Sequence, residues 1–366
     1  MMSTSTVRPR RKRLPSSTAR VQTTRAAILV QQGAPLLVSE VSIPELGVGH
    51  VLVKVAATGI CGKQVEEISG RRGQDSFIPH LLGHEGAGVV LAVGPGVRKV
   101  KPGDHVVLHW MKGSGIDSAT PSFRRNGTVV NAGWVTTFSE HTVVSENRVT
   151  PISREVPFDV ACLLGCAVTT GLGIISNNAN LKSGQSIAVF GAGGVGLNVI
   201  QGAALVNAYP IVAIDRYAHK LAQAVSFGAT HTVDATTDPR AYLKALTEGR
   251  GVDVAVDTTG LVKVRELAYD ATSHTGKTIL AGVPSHDDRM NIDSFPLHFG
   301  RQVTGVHGGD TKPDVDIPRY LRLYTLGKLK LDEQITHRMP LDQINAALDI
   351  VRNGKAGRCV IVMDGV

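Results

Sequence analysis

The sequence predicts an α/β protein of two parts, a β-barrel domain followed by a parallel, doubly wound sheet. Three observations carry this. The chain has 366 residues, too many for one ordinary core. Short apolar strands alternate with Gly- and Pro-containing turns up to about residue 145. After about residue 182 the rhythm changes to strand, helix, strand. A hydrophobic fraction of 42% suits a globular chain, and 40 glycines with 4% aromatics suit tight turns and close helix–sheet contacts.

The first 24 residues are set apart. Arg8, Arg10, Arg11, Lys12, Arg13, Arg20 and Arg25 are the basic residues of the N-terminal 25, which contain no acid. Subtracting these seven from the net charge of +8 leaves +1 for the rest, so the body carries no phosphate-binding field. Residues 1–24 read as a disordered basic tail, and their Arg- and Ser-rich, acid-free composition also resembles an organelle transit peptide.

From Arg25 to about Ser145 the elements are strand-like. His50-Val-Leu-Val-Lys-Val-Ala-Ala57 and Gly86-Ala-Gly-Val-Val-Leu-Ala-Val93 are apolar strands. Lys101-Pro-Gly-Asp104 is a turn before Val106-Val-Leu108. These predict a partly open barrel. Strands follow at 186–190, 210–214, 230–233, 252–256, 278–281 and 302–306, with helical segments near 194–206, 217–227, 239–247 and 261–271. A helix at 343–351 and a strand at 358–363 close the chain. The apolar run 187–206 is broken by five glycines, Asn198 and Gln201, and reads as strand, turn and helix rather than a membrane span. Four cysteines do not make a disulfide framework, so a cytoplasmic setting is expected.

The strongest motif is Gly191-Ala-Gly-Gly-Val-Gly196, which follows an apolar strand and opens a helix. Gly191 permits a tight turn, and Gly193 lets a pyrophosphate approach the backbone. Gly196 allows close helix–strand packing, while Gly194 and Val195 lie at the helix N-terminus where the phosphates sit. Asp215 ends the second strand, 24 residues after Gly191. A carboxylate there accepts ribose hydroxyls and repels a 2′-phosphate, favouring NAD over NADP. Arg216 and Lys220 follow and soften that preference. Val283, beyond the strand at 278–281, is counted with the cofactor-binding residues.

Cys61, His84 and Cys166 are candidate metal ligands, each at a strand end or turn. Spacing alone does not make them converge, and a buried Cys is more often a small hydrophobe. Gly83-His-Glu-Gly-Ala-Gly-Val-Val90, Val100-Lys-Pro-Gly-Asp-His-Val106, the 191–196 turn and Ile335-Thr-His-Arg-Met-Pro-Leu-Asp-Gln-Ile-Asn345 occur in this order. Together they resemble the zinc-containing medium-chain alcohol dehydrogenases from about Arg25 to the C-terminus. The resemblance implies a GroES-like β-barrel catalytic domain (25–181 and 311–366) around a Rossmann domain (182–310). It implies one catalytic Zn²⁺ on Cys61, His84 and Cys166, with Glu85 able to approach the metal. Thr170 would lie near the nicotinamide, Arg358 against the pyrophosphate, and Trp110 in the substrate pocket. The implied reaction is NAD-dependent hydride transfer on an alcohol/carbonyl pair, with a secondary alcohol or polyol as substrate. A homo-oligomer (dimer or tetramer) is implied, and neither nucleic acid nor membrane is expected as partner.

Two departures qualify the resemblance. Lys63 stands where the family has a proton-relay hydroxyl, and Gln64 stands where it often has an acid supporting the metal-bound His. In a closed pocket Lys63 would serve as proton acceptor, with Glu66 one turn on. The stretch 109–134 is polar and Gly-rich, and no cysteine lies between Cys61 and Cys162, so the four-cysteine structural zinc lobe of many members cannot form. Two other readings stand beside this one: a zinc-independent reductase of activated double bonds or quinones, and a non-enzymatic NAD-binding sensor.

Overall fold

The computed structural model of the chain describes residues 22–71 and 73–364. The expected disordered tail therefore lies, but for its last three residues, outside the described residues. In the second half, six strands form one parallel sheet in the order His231–Asp234, Ile211–Asp215, Ile187–Phe190, Val252–Asp257, Thr272–Leu280, Gln302–Gly305. Every pairing is parallel. Numbered along the chain, that order is 3-2-1-4-5-6, the doubly wound arrangement, whose reversal point lies beside the first strand. Ile187–Phe190 sits at the centre, buried at all four positions, and so reads as a continuous apolar run.

The first half is more elaborate than one barrel. Five short strands, Thr23–Leu29, Leu37–Ser42, Ser122–Arg125, Thr128–Asn131 and His80–Leu81, close a small barrel. A separate seven-stranded sheet is centred on His50–Gly59 and Glu85–Val93. The last strand, Arg358–Val362, pairs antiparallel with His50–Gly59, returning the C-terminus to the N-terminal sheet. That return brings Arg358 next to residues 273 positions earlier in the chain.

Two helical regions escape the periodicity argument. Pro313–Thr325 carries Pro313 in its first turn and Pro318 inside it, so the residues that read as breakers are absorbed by a helix. Residues 158–173 run through helical turns buried on nearly every face, which removes the amphipathic stripe.

The polar stretch after His109 is held by carboxylates. Glu146, 3% exposed, accepts from the backbone N–H groups of Arg98 (2.6 Å), Lys99 (2.7 Å) and Ile116 (2.8 Å). Burial raises the Glu146 carboxyl, but these three donors outweigh it and keep it below the usual carboxylate range. Asp314, from the helix Pro313–Thr325, accepts from Ser114 N–H at 2.5 Å and pairs with Lys99. Two acids thus hold the loop in place.

Candidate functional site

Cys61 caps the N-terminus of the helix Gly62–Ser69, directly after the strand His50–Gly59. His84 lies between His80–Leu81 and Glu85–Val93. Cys166 precedes the helix Ala167–Gly173 and is 7% exposed. The fold brings one ligand atom of each within 4.8 Å of the others. The Cys61 thiol is held well below its usual range, chiefly by the Cys166 S–H, with His84 and Arg358 adding to it against the effect of burial. Cys166 is pushed up, first by its contact with Cys61 and then by burial. Two sulfurs beside an imidazole are a donor set suited to Zn²⁺, which binds the thiols as thiolates.

Gln64 does more than mark a missing acid. Buried at 2% exposure, its side-chain amide meets His84 Nδ1, and its Oε1 accepts from Cys61 N–H at 3.2 Å. That contact ties two ligand-bearing residues, Cys61 and His84, together. Lys63 departs from expectation. It lies in the first turn of the same helix, whose inward face is Gln64 and Ile68, so its own side chain is exposed rather than enclosed.

Glu85 also departs from expectation, standing outside the three-ligand group. Fully buried, its carboxylate pairs with Arg358 and accepts from Ala167 N–H at 3.3 Å. Arg358, 5% exposed, is no surface residue: a Cβ on Gly194 would stand 2.8 Å from its Nη1. It therefore bridges the ligand cluster and the Gly-rich turn.

That turn has the form its glycines require. Gly191 is at φ +95°, and a Cβ on Gly196 would lie 1.9 Å from Gly191 O. A Cβ on Gly193 would meet nothing within 4 Å, which is open space at a helix N-terminus. Val195 is half-buried behind it. Thr258, which sequence reasoning missed, donates to Phe190 O and Gly191 O, both at 3.0 Å. It follows the neighbouring parallel strand, so nothing local to the motif announces it.

Asp215 lies at the end of Ile211–Asp215, 9% exposed, with Oδ2 accepting from Ala192 N–H (2.8 Å) and Oδ1 from Tyr217 N–H (3.0 Å). It is fixed against the turn, with one further lone pair per oxygen. Arg216 and Lys220 both lie over the Tyr217 ring, at 4.8 and 5.3 Å. Val283 is 53% exposed beyond the fifth strand of the sheet. Thr170 lies one turn after Cys166, its N–H donating to Cys166 O at 2.9 Å. Trp110 meets His307 edge-on at 4.8 Å, and its indole reaches the Cys166 sulfur. Met111 and Trp110 both crowd Gly308.

Comparison with known proteins gives a consistent result. Residues 47–154 match the alcohol dehydrogenase GroES-like domain, and residues 194–325 match the zinc-binding dehydrogenase domain. The chain is 35% identical to an alcohol dehydrogenase class-3 of Cereibacter sphaeroides, over 93% of this chain and 99% of that one. It is 37% identical to an S-(hydroxymethyl)glutathione dehydrogenase of Komagataella pastoris, over 93% and 97%. Among solved structures, benzyl alcohol dehydrogenase from Acinetobacter calcoaceticus superposes with a TM-score of 0.85 at 29% identity, over 93% of this chain and 99% of that one.

Proposed function

The chain belongs to the zinc-containing medium-chain alcohol dehydrogenases, zinc- and NAD-dependent oxidoreductases of an alcohol/carbonyl pair, and from that premise we propose that Cys61, His84 and Cys166 hold its catalytic zinc. The observation that carries this is the convergence of the three ligand atoms within 4.8 Å. Zinc bound there supplies Lewis acidity, favouring deprotonation of an alcohol and polarising a carbonyl. NAD supplies the hydride acceptor and NADH the donor. The chain's own residues do the positioning. Gln64 orients His84, Glu85 holds Arg358, and Arg358 stands where it meets a pyrophosphate on the 191–196 turn. Asp215 presents its remaining lone pairs to a ribose, and Thr170 and Val283 complete the cofactor site. We divide the chain accordingly, with residues 25–181 and 311–366 as the catalytic part and 182–310 as the nucleotide-binding part.

Trp110, whose indole reaches the Cys166 sulfur, and Met111 beside it at Gly308 narrow the substrate. Trp110 and Met111 offer an aromatic and a thioether surface, which favours an alcohol with an apolar or aromatic body over the polyol that the sequence left open. The protein similar to this one that oxidises benzyl alcohol supports that choice. A substrate panel tests it: benzyl alcohol, a secondary aliphatic alcohol, S-(hydroxymethyl)glutathione and a hexitol, each with NAD⁺ and NADP⁺ on zinc-loaded protein. We expect benzyl alcohol to exceed the hexitol in kcat/KM by about 10-fold or more, as 1–3 kcal/mol of apolar contact allows. NAD⁺ should exceed NADP⁺. A hexitol preference would reject the first reading, and equal use of both cofactors the second.

For the oligomer, the sheet edge Gln302–Gly305 pairs only with Thr272–Leu280 among the described residues. Beside it Phe295 and Phe299 are 67% and 63% exposed, their rings 5.0 Å apart. An uncovered edge next to exposed aromatics suits two-fold pairing with a second copy. Thr304→Pro, which removes a strand donor, should shift sedimentation from dimer to monomer; a wild-type monomer would sink the idea. No single described helix is long and apolar enough to cross a membrane. All four cysteines are free, as a reducing cytoplasm keeps them, and we place the protein there.

A further inference from the structure

A second group of metal-ligating side chains lies at the C-terminal end of the helix Gly62–Ser69. Glu67 comes from the end of that helix, Asp75 from the loop that follows, and His80 from the strand His80–Leu81. One ligand atom of each lies within 4.8 Å of the others. His80 is 7% exposed and the two acids are half-buried.

The hydrogen-bond arithmetic of His80 is informative. Its Nδ1 lies 2.9 Å from Leu81 O, and a carbonyl only accepts, so Nδ1 carries a hydrogen. Its Nε2 lies 2.8 Å from Asp75 Oδ2. A bare ring nitrogen facing a bare carboxylate is repulsive, so a proton or a metal ion must lie between them. Glu67 brings a second carboxylate to the same point. The outer contacts match those of ligating residues. The histidine has its other nitrogen fixed by a backbone carbonyl, and the carboxylate has its other oxygen bonded, Asp75 Oδ1 accepting from Phe77 N–H at 2.8 Å. The loop is also held from behind, where Gln32 Oε1 accepts from Asp75 N–H and Gln32 Nε2 donates to Gly73 O.

We propose that Glu67, Asp75 and His80 form a second divalent-cation site, separate from the Cys61–His84–Cys166 cluster. One imidazole and two carboxylates suit Zn²⁺ or Mn²⁺, and of these Zn²⁺ binds a nitrogen- and oxygen-donor site the more tightly. Bonds of roughly 2.1 Å span ligand atoms up to about twice that distance apart, so small rotamer changes close the triad. The site joins the helix whose cap is Cys61 to the strand that leads into His84. An ion there staples together the two segments that carry those ligands, and because it binds only the folded chain it raises stability with its concentration.

Metal content of the full-length protein tests this, measured after zinc loading and dialysis into zinc-free buffer. Wild type should retain two zinc per chain, and Glu67→Gln and Asp75→Asn one each. Cys166→Ser should also retain one, lost when Asp75→Asn is added, so failure of this site and failure of the catalytic assignment are told apart. In Cys166→Ser, Tm should rise with added zinc, and Glu67→Gln should abolish that rise while its shape-conserving amide preserves the fold. One zinc in wild type, meaning that a proton alone bridges His80 and Asp75, would overturn the proposal. So would two zinc retained in both Glu67→Gln and Asp75→Asn.

Discussion

Cys166→Ser should lower kcat/KM for alcohol oxidation by about 10³-fold or more while the protein still folds and binds NADH. Cys166 is buried, and serine differs from it by one atom, so packing changes little. The chemistry changes a great deal. A thiolate is a soft anionic donor, whereas the serine hydroxyl keeps its proton and binds Zn²⁺ poorly. The neighbours show what is lost. In the native chain the two sulfurs lie beside His84, and the contact that holds the Cys61 thiol low comes first from Cys166. Removing Cys166 leaves Cys61 with burial opposing its ionisation. Lewis-acid stabilisation of several kcal/mol corresponds to about three decades or more in rate. Zinc analysis, steady-state kinetics and an NADH-binding titration on the same preparation check this. Full activity with the catalytic zinc retained would remove Cys166 from the ligand set.

The sequence made the nucleotide half legible because its signals are local. The central strands of the parallel sheet are short apolar runs ended by Gly, Asp or a polar turn, and observed bounds such as Ile187–Phe190 and Ile211–Asp215 fall within a residue of expectation. Boundaries shift most at Thr272–Leu280, whose polar first half pairs little and hides its strand character. The barrel half was harder to read. Its strands pair across long loops, so nothing in His80–Leu81 or Ser122–Arg125 reveals that they share a closed barrel.

At the site, the ligand residues were visible as types but their convergence was not. It depends on Cys166 being carried back to the N-terminal sheet by buried helical turns that lack a periodic stripe. Lys63 and Glu85 show where side-chain identity misleads. Lys63 is exposed on its helix, and a cation arriving from the last strand pairs with Glu85. Gln64 shows the converse, since a residue that looked like a loss contacts His84 with its amide. Each outcome depends on long-range geometry, which one-dimensional spacing does not encode.

Arg358→Met should cost both stability and cofactor affinity, and the two losses should separate in a double mutant. Arg358 and Glu85 are 5% and 0% exposed and paired, so removing the guanidinium strands a carboxylate in the interior. Breaking a buried pair from one side costs about 3–5 kcal/mol, more than the intact pair contributes, because the orphaned charge must be neutralised or left unsolvated. Adding Glu85→Gln removes that charge and keeps an acceptor for Ala167 N–H, so most of the stability should return. Cofactor affinity should not. Nη1 of Arg358 stands against Gly194 at the start of the phosphate-binding helix, and no amide at position 85 replaces a cation there. We expect KM for NAD⁺ to rise about 10-fold or more in both the single and double mutants. Arg358→Lys should recover only part of it, since a point charge cannot serve Glu85 and a phosphate together as a planar fork does. Denaturant titrations and NAD⁺ kinetics on the four proteins decide the matter. Equal stability in the single and double mutants would show that Glu85 is not held ionised by Arg358. An unchanged KM would remove Arg358 from the pyrophosphate site and leave it as a structural partner of Glu85.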